Sequence, residues 1–200
     1  MNQLENCTQL NNTFYGMRHG QSLANCEGLV VSTPENGIHQ YGLSEVGKQQ
    51  VLESIKQPGG LDKHTRIFSS DFKRARETAE LVHTQLGSEH PISWDARLRE
   101  RNFGDFELGP DSNYVITWER DALDGAHRHN NVESAEAVMA RVTGLVNELE
   151  NQFTGESFLL VAHGDTLQIL QAAFSRLPAS QQRTLKHLET AEIRAFVLAD

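Results

Sequence analysis

Cysteine is scarce in this chain: Cys7 and Cys26 are the only two in 200 residues. Two are too few for a disulfide framework and lack the spacing of a zinc site, which points to a reducing compartment. Basic residues are outnumbered, 18 Lys plus Arg against 27 Asp plus Glu, for a net charge of −9. That balance argues against nucleic acid or an anionic membrane as a partner and repels any anionic ligand at long range. An anion site here has to be a local basic pocket. Long apolar runs are also missing. None reaches the ~18 residues of a membrane span, and the polar opening Met1 to Asn12 has no signal-peptide core, so a soluble, cytoplasmic protein is expected. The sequence has no P-loop, no dinucleotide glycine fingerprint and no H-E-x-x-H, and His127-Arg128-His129 lies in a polar stretch without nearby cysteines. No motif indicates nucleotide use, and no cofactor or metal is expected.

At 200 residues and 22.4 kDa the chain fits one ordinary domain that needs no disulfide or metal to fold. One domain is expected over 1–200, with 1–12 as a loose arm. Thr13 to Met17 reads as a short buried strand halted by Arg18-His19-Gly20, and Ser22 to Cys26 as the opening of a helix. Glu27 to Gly42 is rich in turn formers and longer than a simple connection of about 4–6 residues, the kind of loop that often borders a site. Ser44 suits the N-cap of a helix running to Ile55, with Val46, Val51, Leu52 and Ile55 on one face. Arg66 to Ser70 is a second strand, and Asp71 suits the cap of a helix carrying Phe72, Ala75, Ala79 and Leu86. A minor strand is expected near Ile92, a charged loop over Trp94 to Asp111, and helices over Tyr114 to Ala122 and Ser134 to Phe153. The clearest buried strand is Phe158 to Ala162. A helix follows from His163-Gly164 to Phe174, then a final strand within Thr190 to Leu198 with Ile193, Ala195 and Val197 on one face. This alternation predicts an α/β fold, a three-layer α/β/α sandwich around a mostly parallel sheet.

Ligands of such sheets collect beyond the carboxyl ends of the strands. The first strand delivers Arg18-His19-Gly20, the last strong one His163-Gly164, and the middle one ends at Ser69-Ser70 shortly before Arg74. If the three are parallel neighbours, two histidines and two arginines meet at one edge, which would supply the local basic pocket. Singly each signal is weak, since a histidine beside glycine is usually a loop residue and Arg74, flanked by Lys73 and Arg76, is usually a solvated cation. Only the combination carries weight.

Arg18-His19-Gly20-Gln21-Ser22, followed by Asn25, resembles the R-H-G-x-S-x-x-N signature of the histidine phosphatase superfamily, in the branch that includes cofactor-dependent phosphoglycerate mutase. Further blocks follow in family order. Leu43-Ser44-Glu45-Val46-Gly47 is similar to its L-[ST]-x-x-G block, and Ser69-Ser70-Asp71-Phe72-Lys73-Arg74-Ala75 with Thr78-Ala79 to its S-S-x-x-x-R-A-x-x-T-A block. Leu98-Arg99-Glu100 with Phe103-Gly104 resembles the acid-bearing loop, and Val161-Ala162-His163-Gly164 the second histidine block. The resemblance spans Phe14 to Val197. Two departures stand out: Glu107-Leu108 where the family commonly has Glu-Gly, and Val132-Glu133-Ser134 where it has Gly-Glu-Ser.

The resemblance implies a phosphomonoesterase working through a phosphohistidine, with His19 as nucleophile, Arg18, Arg74 and His163 as clamps on the phosphoryl group, and Glu100 as acid and then base. Such roles suit the residue types. A neutral imidazole can attack phosphorus, arginine forks match phosphate oxygens, and one carboxyl can protonate the leaving alkoxide and then deprotonate water. Ser22, Asn25 and Gly164 complete the expected phosphate site. Arg97, Arg99 and Arg101 would lower the pKa of Glu100 whereas burial would raise it. A small phosphorylated metabolite is the expected substrate; Arg99, Arg101 and Arg120 are candidates for a second anionic group. Oligomeric state is not legible. Two alternatives stay open. One is a mutase, although mutases of that branch carry a Trp-Asn pair and a Gly-Trp-x-Asp stretch where this chain has Ala24-Asn25 and Leu29-Val30-Val31-Ser32-Thr33-Pro34. The other is a binding module without turnover.

Overall fold

In the computed structural model, which describes residues Met1–Ala199, strands β1 (Thr13–Arg18) and β4 (Ser157–Ala162) lie side by side in parallel, with Arg18 opposite Ala162. Both strands therefore leave the sheet at the same edge, and the next residues are His19 and His163. The sheet has five strands in the order β3-β2-β4-β1-β5, where β2 is Arg66–Ser69, β3 Ser93–Trp94 and β5 Ile193–Phe196. Every pairing is parallel except β1 with β5. The mostly parallel α/β sandwich expected from the sequence is the observed architecture.

Strand β4 is buried on both faces, so its apolar run serves two cores at once. Phe158, Leu160 and Ala162 pack on one side with helices α6 (Ala135–Gln152) and α7 (Gly164–Phe174). Leu159 and Val161 pack on the other with α3 (Glu45–Ser54) and α4 (Lys73–Leu86). Shorter helices α1 (Leu23–Glu27), α2 (Pro34–Gly37) and α5 (Asn113–Asp121) border the strand ends. Ser44 and Ser134 cap α3 and α6 by accepting from Gly47 N and Ala137 N, each three residues on. Gly16 in β1 leaves room for the Phe196 ring, which any Cβ there would strike.

Several local expectations are corrected. The segment 1–12 is not a loose arm: Leu4 is buried in the α6/α7 core, Asn2 Nδ2 donates to Ala173 O, and Arg176 donates to the carbonyls of Glu5 and Cys7. Asp71 does not cap α4, which begins after Phe72 without a side-chain cap; its carboxylate grips Arg99 at 2.7 and 2.6 Å. Val46 is exposed, because α3 turns Val51 and Ile55 inward instead. On β5 it is Phe196 that enters the core, leaving Ala195 and Val197 outside. Among the described residues no helix is long and apolar enough to cross a membrane.

The excursion between β1 and α3 is closed at its base. Leu23 N donates to Gly42 O and Ser44 N to Gln21 O, both at 2.9 Å, around a Ser22–Leu43 bridge. Above that base, backbone bonds tie Gly28 and Val30 to residues 108–111, and Glu107 holds the next stretch: its carboxylate accepts from the backbone N and hydroxyl of both Ser32 and Thr33, and from Asn36 Nδ2. Burial works against the charge of Glu107, but these bonds from Ser32, Asn36 and Thr33 hold its pKa below the usual carboxylate range. Leu108, standing where the family commonly has glycine, takes φ +59°, a left-handed conformation unfavourable for a side chain with a Cβ.

Candidate active site

A cavity of about 80 Å³ opens at the carboxyl ends of β1 and β4, lined by Arg18, His19, Ser22, Asn25, Arg74, Glu100 and Gly164 among others. His163 is not part of its lining, but its ring lies edge-on to that of His19 with centroids 5.1 Å apart. All eight sequence-selected residues therefore meet in one place, from four segments of chain.

His19 has both ring nitrogens engaged. Nδ1 lies 2.7 Å from Gly20 O, and Nε2 lies 3.1 Å from Arg74 Nε. A carbonyl only accepts and a guanidinium only donates, so the proton is on Nδ1 and the lone pair on Nε2. Burial, then Arg74 and Arg18, push the His19 pKa well below its ordinary value, which keeps that lone pair available. His163 is likewise depressed, first by burial and then by Arg74. Its Nε2 lies 2.8 Å from Ser70 Oγ, which already accepts from Phe72 N and has its own hydrogen to give, placing the ring proton on Nδ1. A neutral His163 is thus still a donor.

Three buried polar atoms around His19 have no protein partner: Arg18 Nε, Arg74 Nη1 and His163 Nδ1. Unpaired buried donors are costly, and their convergence marks a place built for an anion. The rest of each fork is spent on positioning. Arg18 Nη1 contacts His187 Nε2 at 2.8 Å and donates to Leu188 O, while Arg74 Nη2 donates to Val31 O at 2.8 Å. Gly164 lies so close to the Arg18 guanidinium that a Cβ would contact its carbon at 3.6 Å.

Glu100 is buried, and Oε1 is pinned by Arg101 N, Thr166 N and Thr166 Oγ1. No hydrogen bond among the described residues uses Oε2. Burial and the nearby Asp165 raise the Glu100 pKa against the pull of Arg74 and Arg18, so burial wins the contest with charge. The neighbouring arginines do not offset it because each is paired elsewhere: Arg97 with Asp95, Arg99 with Asp71, and Arg101, fully buried, with Asp121. Arg101 and exposed Arg120 do not line the cavity, and Arg99 faces a different one of about 600 Å³, so the expected second-anion group does not assemble around His19.

Ser22 and Asn25 are placed at the mouth but are bonded to each other, Asn25 Oδ1 accepting from Ser22 N and Oγ and Ser22 Oγ from Asn25 N, which caps α1. Sequence reasoning missed His187, Asp165, Tyr114 and Trp118, all of which line the cavity. Ser70 was within a recognised block; the others carry no local pattern. Among the described residues no group of three or more His, Cys, Asp or Glu is placed to hold a metal ion.

A buried histidine pair, two arginines and a carboxyl at the carboxyl ends of central strands match what the family comparison gives: the chain belongs to the histidine phosphatase superfamily, branch 1, whose model matches residues 14–200. A curated relative from Escherichia coli O1:K1 / APEC, the probable phosphoglycerate mutase GpmB, is 30% identical over 177 residues, covering 86% of this chain and 79% of the relative. Among solved structures, a mycobacterial glucosyl-3-phosphoglycerate phosphatase is 27% identical with a TM-score of 0.75, covering 92% of this chain and 88% of that one. Bacillus stearothermophilus YhfR is 27% identical with a TM-score of 0.74, covering 92% and 90%.

Proposed function

We propose that the protein hydrolyses phosphate monoesters of small molecules through a phosphohistidine on His19. The observation that carries this reading is the set of unpaired buried donors, Arg18 Nε, Arg74 Nη1 and His163 Nδ1, grouped around a histidine whose tautomer leaves Nε2 with its lone pair. In the first step Nε2 attacks phosphorus and the bond to the ester oxygen breaks, its electrons going to the leaving alkoxide, which takes the proton of Glu100. The arginine forks and the His163 N–H hold the equatorial oxygens, where charge spreads in the transition state. In the second step water attacks phosphorus, gives its proton to the Glu100 carboxylate, and the N–P bond breaks back onto Nε2, releasing inorganic phosphate. A carboxyl with a raised pKa and one free oxygen suits both halves.

The name of the E. coli relative keeps phosphoglycerate mutase as the second reading. The presence of both nucleophile and acid weighs against a binding module without turnover. Two unpaired cysteines, Cys7 and Cys26, fit a cytoplasmic location. The test is intact mass after incubation with a phosphate monoester and an alkaline quench. An acid-labile adduct of one phosphoryl group, missing from His19→Ala, is the expected result; an adduct that persists in that variant removes the assignment. An assay for interconversion of 2- and 3-phosphoglycerate separates mutase from hydrolase.

A further inference from the structure

We infer that the Tyr114 hydroxyl is a further catalytic group: with Glu100 Oε2 it holds the oxygen that lies opposite His19 Nε2, donating to the ester oxygen as it leaves and accepting from the water that replaces it. The inference deepens the phosphatase reading above and rests on it. Tyr114 lines the same cavity as Arg18, His19, Arg74 and Glu100. Its oxygen is accessible to water, and no hydrogen bond among the described residues uses it. The ring is held on two sides. Buried Phe103 meets it edge-on with centroids 4.7 Å apart, and Trp118 stacks on it at 5.7 Å. Trp118 is fixed in turn, its Nε1 donating to Asp165 at 2.9 Å and its ring lying under the Arg183 guanidinium at 3.7 Å. The direction in which Tyr114 presents its hydroxyl is therefore set by packing, without any bond of its own.

Burial raises the Tyr114 pKa, and Glu100 raises it further, ahead of the opposing pull of Arg74. The phenol thus keeps its proton, and among the charged groups it lies in the field of Glu100 first. Glu100 and Tyr114 do not bond each other, and Glu100 Oε2 is uncommitted, so a third oxygen can sit between them. That oxygen changes character during the reaction. In the first step it gains electrons as its bond to phosphorus breaks, and a donor beside it stabilises the charge. In the second step it belongs to water: one hydrogen passes to the Glu100 carboxylate as the O–P bond forms and the N–P bond breaks back onto Nε2, and the other hydrogen needs an acceptor. A phenol hydroxyl can play both parts. The other uncommitted groups of the lining cannot. Asn25 Nδ2 only donates, and His187, whose Nε2 accepts from Arg18 Nη1, carries its proton on unpaired Nδ1 and also only donates. Ser22 Oγ gives its hydrogen to Asn25 Oδ1, while Ala24, Leu29 and Val31 offer no side-chain hydrogen bond. An alcohol in place of water has a single hydroxyl hydrogen, which Glu100 takes, so Tyr114 has nothing to accept. The hydroxyl therefore favours water over an alcohol as the phosphoryl acceptor.

The test follows 4-nitrophenyl phosphate in aqueous methanol, where the phosphohistidine passes its phosphoryl group either to water, giving inorganic phosphate, or to methanol, giving methyl phosphate. Tyr114→Phe keeps the ring stack and removes only the oxygen. It should lower kcat about 10-fold, the order of one hydrogen bond, and raise the fraction of enzyme standing as the phosphoryl adduct by intact mass. The ratio of methyl phosphate to inorganic phosphate should rise roughly 3- to 10-fold. Both products come from the same folded molecules, so the ratio does not depend on how much of the variant folds. Tyr114→Leu, which removes the ring as well, should give a ratio like that of Tyr114→Phe. An unchanged ratio in Tyr114→Phe overturns the inference, as does a ratio that moves only in Tyr114→Leu, which would assign the effect to the ring. A wild type that forms no His19-dependent adduct removes the phosphatase reading and this inference with it, whereas a wild-type adduct with an unchanged ratio removes the role of Tyr114 alone.

Discussion

Arg74 Nε donates a hydrogen bond to His19 Nε2 at 3.1 Å, so in the free protein the arginine covers the lone pair that would attack phosphorus. An incoming phosphoryl group competes for the same N–H, and moving that donor onto a phosphate oxygen uncovers the nucleophile. The same guanidinium is anchored through Nη2 to Val31 O and presents Nη1 to the cavity. A lysine cannot divide three directions in this way. Arg74→Lys should therefore lower kcat about 10²-fold while leaving the thermal transition near that of the wild type. A variant with unchanged kcat would show that the fork is not needed.

Glu100 should set the basic limb of the pH profile. Its pKa is raised, and the first step uses the protonated form, so kcat/KM falls as pH rises through that raised value. Glu100→Gln should lose this limb and drop turnover of alkyl phosphates by about 10²- to 10⁴-fold. An aryl ester with a good leaving group should suffer far less in the phosphorylation step, measured as the burst of released phenol.

The buried histidines make stability dependent on acid. His19 and His163 have folded-state pKa values well below the ordinary value of about 6.5, so the unfolded chain binds those protons first as pH falls. Their contribution is intact above about pH 6.5 and declines below it, each with a limiting slope of about 1.4 kcal/mol per pH unit. Glu100 acts in the opposite sense, because a raised carboxyl pKa removes stability as pH rises above the usual carboxylate range. Urea denaturation at pH 7.5, 6 and 5 should show falling stability, and His163→Asn should flatten the trend. Constant stability over that range contradicts it.

Glu107→Gln should loosen substrate binding without touching the chemistry. The carboxylate accepts five hydrogen bonds from Ser32, Thr33 and Asn36, and Val31, whose carbonyl anchors Arg74, is the next residue along. An amide cannot accept all five, and a loss of the order of one such bond raises KM about 10-fold with kcat within a factor of a few.

Leu108→Gly should stabilise the protein. Leu108 is half exposed at φ +59°, where a Cβ costs roughly 1–2 kcal/mol and glycine costs only its extra unfolded-state entropy. A gain of about 0.5–1 kcal/mol should appear as a rise of a few degrees in Tm. A lower Tm would show that packing of the leucine outweighs its backbone strain.

Much of this site was legible in the sequence because it is written where strands stop. The runs ending at Arg18 and Ala162 are apolar on both faces, which identifies them as central strands and puts the two histidines at one edge. Glu100 was legible only by position in a block. The sign of its pKa shift was not, because it depends on where Arg97, Arg99 and Arg101 find their partners: Asp95 is close in sequence, but Asp71 and Asp121 are distant. Ser22 and Asn25 line the cavity and also cap α1, a second duty that the motif alone does not announce. The Ser22 hydroxyl and the Asn25 Nδ2 suit phosphate as donors, while the hydroxyl and Asn25 Oδ1 also suit a helix start, where the local partner three residues away is used. The arm 1–12 was misjudged because one buried leucine, Leu4, produces no periodicity. His187 was invisible, since it acts on Arg18 from 169 residues away.

The clasp at Gln21–Leu23 and Gly42–Ser44 bears on how the protein could be re-engineered. Because the excursion returns to within hydrogen-bonding distance of its own start, the piece between the two ends can be exchanged as a cassette, so long as the carbonyl at position 31 still anchors Arg74 beside His19. Leu29, Val31 and Glu107's partners all ride on that cassette, so grafting one in from a relative would transplant a substrate preference, provided that residue 107 is carried along with it.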